Sequence, residues 1–197
     1  MPRLTRRSML LAAVALPFTA PVSMALTEQS ARNLVDRAVA EINQVIAAGG
    51  SEASMIARFD AIFERYADES YIAAYAMGAD ARRATNAQRA AFSSAFGDHL
   101  TSKYGRRFRE FIGGRVQVQS ARRVKNWVEV GAVVQLSGSA PFSVTFFVSD
   151  RTGTDKFFNL TIEGVSMLLS EREEIGALLD RNRGDIDAMI AALRAGA

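Results

Sequence analysis

The spacing of apolar residues changes twice along this chain, and each change falls at a glycine. Ahead of Gly113-Gly114, in "ATNAQRAAFSSAFGDHLTSKYGRRFREFIGG", Phe92, Phe96, Leu100, Tyr104, Phe108 and Phe111 recur three and four residues apart, the repeat of a helical face. Past it the period becomes two. "RVQVQSARRV" alternates, and "WVEVGAVVQL" puts Val128, Val130, Ala132, Val134 and Leu136 on one side. "APFSVTFFVSD" does the same with Phe142, Val144, Phe146 and Val148, and "KFFNLTIEG" with Phe158, Leu160 and Ile162. The short polar links "KN", "SGSAP" and "DRTGTD" suit hairpins. Beyond Glu163-Gly164-Val165-Ser166 helical spacing returns, predicting helices from Met167 to Asn182 and from Asp185 to Ala195. Helices, then a meander of strands, then helices can share one core only as an α+β fold: a four-stranded curved antiparallel sheet covered on one face by helices.

The first half predicts three more helices. One is capped by Thr27, carries Leu34, Val35, Val39, Ile42 and Val45, and stops at Gly49-Gly50. A second starts at Ser51 with Met55, Ile56, Phe59, Ile62, Phe63 and Tyr66 on one side, and the short "DESYIAAYAMG" ends at Gly78. With 197 residues and 49% hydrophobic content the chain supports one substantial core, so residues 26–197 read as a single domain. Residues 1–25 are a different object: Arg3, Arg6 and Arg7, the apolar run Met9 to Phe18, then small Ser23 and Ala25. That order predicts a signal peptide cut after Ala25, and the Arg6-Arg7 pair gives it the look of a twin-arginine type. The apolar run is too short to span a bilayer, so a chain that does not span the membrane is expected. Cysteine is absent, which excludes disulfides, thiolate chemistry and a lipidated cysteine.

Charge is unevenly spread. Without the three leader arginines there are 21 basic and 21 acidic residues, yet Arg82 to Lys125 holds 11 basic residues against Asp98 and Glu110 alone. Arg106, Arg107 and Arg109 are the densest part, and they mark a candidate surface for docking an acidic partner or for facing a lipid phosphate. The interleaved Tyr104, Phe108 and Phe111 fall on the helical stripe, so they read as core and a nucleic-acid partner is not expected.

Chemistry is sparse. His99 is the only histidine, so neither a histidine-rich metal site nor a histidine dyad is available, and no metal or cofactor is expected. No G-x-S-x-G elbow or phosphate-cradling glycine loop is present, and no catalytic residue is assigned. The alternative is an enzyme acting on a small apolar substrate in a cone-shaped cavity, with Asp98 or Glu163 as a carboxylate base. The abundance of aromatic and aliphatic residues, with Met55, Met77 and Met167 among them, allows either a filled core or a lined cavity. On pattern alone the filled core is the simpler of the two.

Two stretches tip that balance. "YIAAYAMGADARRATNAQRAAFSSAFGDHLTSKYGRRF" and "KFFNLTIEGVSMLLSEREEIGALLDRNRGDIDAMIAAL" resemble the MlaC, or toluene-tolerance, family. The markers are "MG" followed by "ARRAT-x-x-Q", the spaced Phe and Tyr, the strand "NLTIEGVSM" opening a helix, and the closing "GDIDAMIAAL". The resemblance implies a non-enzymatic, monomeric phospholipid carrier of the periplasm, working in the pathway that keeps outer-membrane lipids asymmetric. It would shuttle lipid between an outer-membrane lipoprotein complex and an inner-membrane ABC-transporter complex. The implied fold is like the cone-shaped nuclear-transport-factor (NTF2-like) folds, with an apolar cavity that takes the tails of a diacyl phospholipid as cargo. Residues expected to line it are Phe59, Phe63, Tyr75, Phe92, Phe96, Leu100 and Tyr104 from the helices. The sheet and the start of the next helix are expected to add Val130, Val134, Phe142, Val144, Phe146, Phe158, Leu160, Ile162, Val165 and Met167.

Overall fold

In the computed structural model the described residues are 25–196, and of Phe108 and Arg109 only the backbone is described. The expected signal peptide, Ala25 apart, lies outside the described residues, so the structure has no bearing on it.

Local chemistry sets the helix starts. Thr27 opens α1 (Glu28–Ala48): its hydroxyl accepts from the Ser30 amide at 2.9 Å, and the Ser30 hydroxyl accepts in return from the Thr27 amide at 3.0 Å. The apolar set Ala31, Leu34, Val35, Ala38, Val39, Val45 and Ile46 is buried at helical spacing. Ser51 caps α2 (Glu52–Tyr66) and Asp68 caps α3 (Glu69–Met77). A single 3₁₀ turn, Gly78–Arg82, leads to α4 (Asn86–Arg107), where Thr85 and Gln88 satisfy each other's amides at 3.0 and 3.1 Å. A second 3₁₀ turn, Phe108–Phe111, ends the helical half.

The strands β1 (Arg115–Val124), β2 (Trp127–Gln135), β3 (Phe142–Ser149), β4 (Lys156–Ile162) and β5 (Val165–Ser166) form one antiparallel meander in chain order. The sheet therefore has five strands, not the four expected. With two residues β5 is too short to show alternation, and its Val165 reads in sequence as the start of the following helix. Along β2 burial alternates strictly, with Val128, Val130, Ala132 and Val134 turned to the core.

Two irregularities bend this sheet. The β1–β2 register shifts between Val118 and Ser120, opposite Gly131, where a side chain would meet the Ser120 hydroxyl at 2.7 Å. The β3–β4 register shifts at Phe147/Val148, so Phe147 pairs with Asn159 but Val148 pairs with Phe157. One extra residue on β4 lets the consecutive Phe157 and Phe158 both be buried, which strict alternation forbids.

The chain closes with α5 (Met167–Arg181), capped by Ser166, and α6 (Ile186–Ala195), capped by Asp185. The helix α1 lies on β1 and β2, while α2 packs on α4, α3 on α5 and α4 on α6. No helix among the described residues is long and apolar enough to cross a membrane.

Candidate functional site: an apolar cavity between sheet and helices

The helices do not close fully onto the sheet. Between the layers lies a cavity of about 350 Å³, within the range of about 300–1,000 Å³ usual for ligand pockets. Its sheet wall is Val116 of β1, Val134 of β2 with the following Leu136, Phe142, Val144 and Phe146 of β3, and Phe157, Phe158, Leu160 and Ile162 of β4. The helical wall is Ala38 and Ile42 of α1, Phe59, Ile62 and Phe63 of α2, Ile72 of α3, and Leu100 and Tyr104 of α4. Phe111 of the 3₁₀ turn and Met167 and Leu168 of α5 complete it.

One end is open. Arg107 and Glu110 are exposed there, and Phe111, Leu136, Phe142, Ile162 and Met167 are half-buried. These residues belong to the end of α4 and its 3₁₀ turn, the β2–β3 link, the β4–β5 turn and the start of α5, all at the same end of the sheet. The Phe111 and Phe142 rings meet edge to face at this mouth, 6.3 Å apart. Ile112, Val165 and Leu169, all exposed, come from the same elements. Toward the opposite end the lining is aromatic: Phe157 stands edge-on to Phe63 at 6.1 Å and to Phe146 at 5.7 Å. Behind them the Arg151 guanidinium sits over Tyr71 at 4.0 Å and Phe158 at 4.5 Å.

Of the residues expected in the lining, the structure brings Phe59, Phe63, Leu100, Tyr104, Val134, Phe142, Val144, Phe146, Phe158, Leu160, Ile162 and Met167 around this volume. Tyr75, Phe92, Phe96, Val130 and Val165 are elsewhere. Phe92 and Phe96 stack on each other at 5.3 Å in the solid core. The reason is helical drift: four residues advance about 400°, so each step of four turns the face by about 40°. Three steps carry Phe92 about 120° from Tyr104, and only the later part of the stripe looks into the cavity. Val130 is fully buried in core, Tyr75 lies under the Arg172 guanidinium at 5.1 Å, and Val165 is 59% exposed on the β5 edge.

The expected basic surface divides. Arg107 borders the mouth, whereas Arg106 reaches the other way to Glu52 of α2 at 3.7 Å; the Arg109 side chain lies outside the described residues. Residues that the sequence reading missed include Phe111, Phe157 and Leu168, and the polar Asn159, Glu110 and Glu171. Phe157 was hidden by the bulge. Asn159 ties β4 to α5: its Oδ1 accepts from the Leu168 amide at 3.0 Å and its Nδ2 donates to Ser166 at 3.1 Å.

Glu171 has no sequence signal at all, being a charged residue on the inner side of α5. It is 2% exposed, and its Oε1 accepts from the Tyr104 hydroxyl and from Lys103 Nζ at 2.8 Å. Burial and this hydrogen bond push the Tyr104 phenol well above the ordinary range. Burial opposes the charge on Lys103, but hydrogen bonds to Glu171 and to Glu174 at 2.7 Å outweigh it and hold the ammonium above the usual lysine range.

The two carboxylates considered as bases do not border the cavity. Glu163 accepts from the Ser143 amide while its own amide donates to Ser143 O at 3.0 Å, pinning the β4–β5 turn to β3. Both turn residues have positive φ, 50° at Glu163 and 81° at Gly164, which explains the glycine.

Two comparisons bear on this arrangement. A solved structure of a phospholipid-binding protein from Ralstonia solanacearum, in complex with a phospholipid, matches with a TM-score of 0.74 at 18% identity, over 85% of this chain and 96% of that one. At that identity it shows a shared fold. The sequence model of the family described as MlaC protein matches residues 32–195, nearly the whole described chain, so this protein belongs to the MlaC family.

Proposed function

We propose that the protein is a periplasmic phospholipid carrier, holding the tails of a diacyl phospholipid between sheet and helices and leaving the head group at the mouth. The observation that carries this is the cavity, lined mostly by aliphatic and aromatic side chains and open at one end. Family membership and the phospholipid held by the Ralstonia solanacearum protein support it. Arg107 and Glu110 stand where a phosphate and its substituent would emerge. The lining residues named above are the proposed contacts with the tails.

Magnitude favours a carrier over free diffusion. Two tails of about 16 carbons hold about 30 methylenes, and exposing them to water costs on the order of 20 kcal/mol at about 0.8 each. An apolar cavity makes transfer from a bilayer nearly neutral, so direction comes from the docking partners. Those partners are an inner-membrane ABC-transporter complex and an outer-membrane lipoprotein complex, reached by a monomer exported through its N-terminal leader. The role is not enzymatic. The exposed Ile112, Val165 and Leu169 with Arg107 form the docking rim.

Mass spectrometry of lipids extracted from protein purified without detergent tests the reading. About one phospholipid per chain, or uptake of phospholipid by emptied protein from vesicles, is expected, and a chain that neither retains nor takes up lipid overturns it. Reversing the charge of Arg107 is expected to slow transfer between partner-bearing vesicles, and unchanged transfer would remove Arg107 from the docking surface.

A further inference from the structure

The polar cluster joining α4 to α5 has an approach of its own from outside. His99 and Lys103 are four residues apart on one face of α4, and Glu171 and Glu174 are three apart on the facing side of α5. Lys103 Nζ bridges the two carboxylates at 2.8 and 2.7 Å, and with the Tyr104 hydroxyl it satisfies Glu171 Oε1. Glu171 Oε2 is different. It is buried, no hydrogen-bond donor among the described residues reaches it, and His99 Nε2 stands 3.9 Å away, too far for a hydrogen bond. A buried carboxylate oxygen left unpaired is costly, and an imidazole nitrogen stands close to it.

A metal cation satisfies both groups at once, since it takes the lone pair of a neutral imidazole and the charge of the carboxylate. One ligand atom each from His99, Glu171 and Glu174 all lie within 4.8 Å of one another. His99 and Glu174 also line a second cleft, of about 390 Å³, between α4, α5 and α6, which gives an ion a path from solvent. We propose that His99, Glu171 and Glu174 form a binding site for a divalent transition-metal ion of the zinc class. One imidazole and two carboxylates, with a fourth position left for water, suit such an ion, while magnesium and calcium favour all-oxygen sites. The Lys103 ammonium, on a flexible stem and 30% exposed, is displaced into solvent. The Tyr104 hydroxyl stays on Oε1 and keeps the Glu171 carboxylate oriented. Sequence pattern argued against a metal because one histidine stands alone; the fold supplies its partners from a helix about 70 residues away.

The single histidine makes the test clean. The chain, purified with a tag free of histidine, is titrated with Zn²⁺ and followed by calorimetry and by the ¹H–¹⁵N signals of its one imidazole. One equivalent is expected to bind with a shift of Nε2, with no shift from Mg²⁺. His99→Gln and Glu174→Gln are each expected to weaken binding about tenfold or more. An imidazole unmoved by millimolar Zn²⁺, or binding of equal strength in folded His99→Gln, overturns the site. If His99→Gln fails to fold, the Nε2 shift of the unsubstituted protein decides alone.

Discussion

Glu163 illustrates how one side chain fixes a turn at the edge of the sheet. Its carboxylate, held by the Ser143 amide, titrates below the ordinary glutamate value of 4.5, because the hydrogen bond favours the charged form. The unfolded chain therefore takes up this proton first as pH falls. The stabilisation is complete above about pH 4.5 and is lost as pH drops through the lower folded value. In denaturant melts Glu163→Gln is expected to be less stable than the parent at neutral pH, with the gap closing below pH 4.5. A gap that widens in acid contradicts this account. The two classes of phenylalanine differ in the same measurable way. Phe96, 1% exposed in solid core, is expected to cost about 3–5 kcal/mol on replacement by alanine. Phe146 already faces open volume, so Phe146→Ala is expected to cost about 2 kcal/mol and to alter lipid uptake instead.

Among the elements, the crossing of α2 and α4 is set by Gly105. A side chain there would meet Ile56 Cγ1 at 2.9 Å and its Cα at 3.0 Å, so the backbones approach as closely as they do because nothing stands between them. Gly105→Ala is expected to lower stability by about 1–3 kcal/mol through overpacking, read in urea melts. No change would mean that the helices slide apart freely. Such contacts are invisible in sequence, where Gly105 is one more residue of a helical run. The helices and the first four strands were legible because each repeats its period often enough, as at Val128, Val130, Ala132 and Val134. The rest was not, for identifiable reasons. Val165–Ser166 offers two residues and no period, the β4 bulge breaks alternation at Phe157, and the Phe92–Phe111 stripe turns as it advances. Glu171 departs from pattern altogether, since nothing local marks a charge that is neutralised by another helix.

For the molecule as a whole, cavity volume and stability are coupled. Filling the lining by Val134→Trp is expected to abolish lipid uptake while leaving the circular dichroism of the fold intact; undiminished uptake would place the tails elsewhere. Lipid at about a hundred times its dissociation constant stabilises the folded state by about 2.7 kcal/mol, so emptied protein is expected to melt at a lower temperature. The same coupling gives the chain a built-in gauge. Trp127, the sole tryptophan, stands edge-on to Phe158 with ring centres 6.4 Å apart, and Phe158 itself borders the hollow. Cargo that nudges this phenylalanine changes the surroundings of the indole, so filling and emptying register as a drift in ultraviolet emission, with no dye attached.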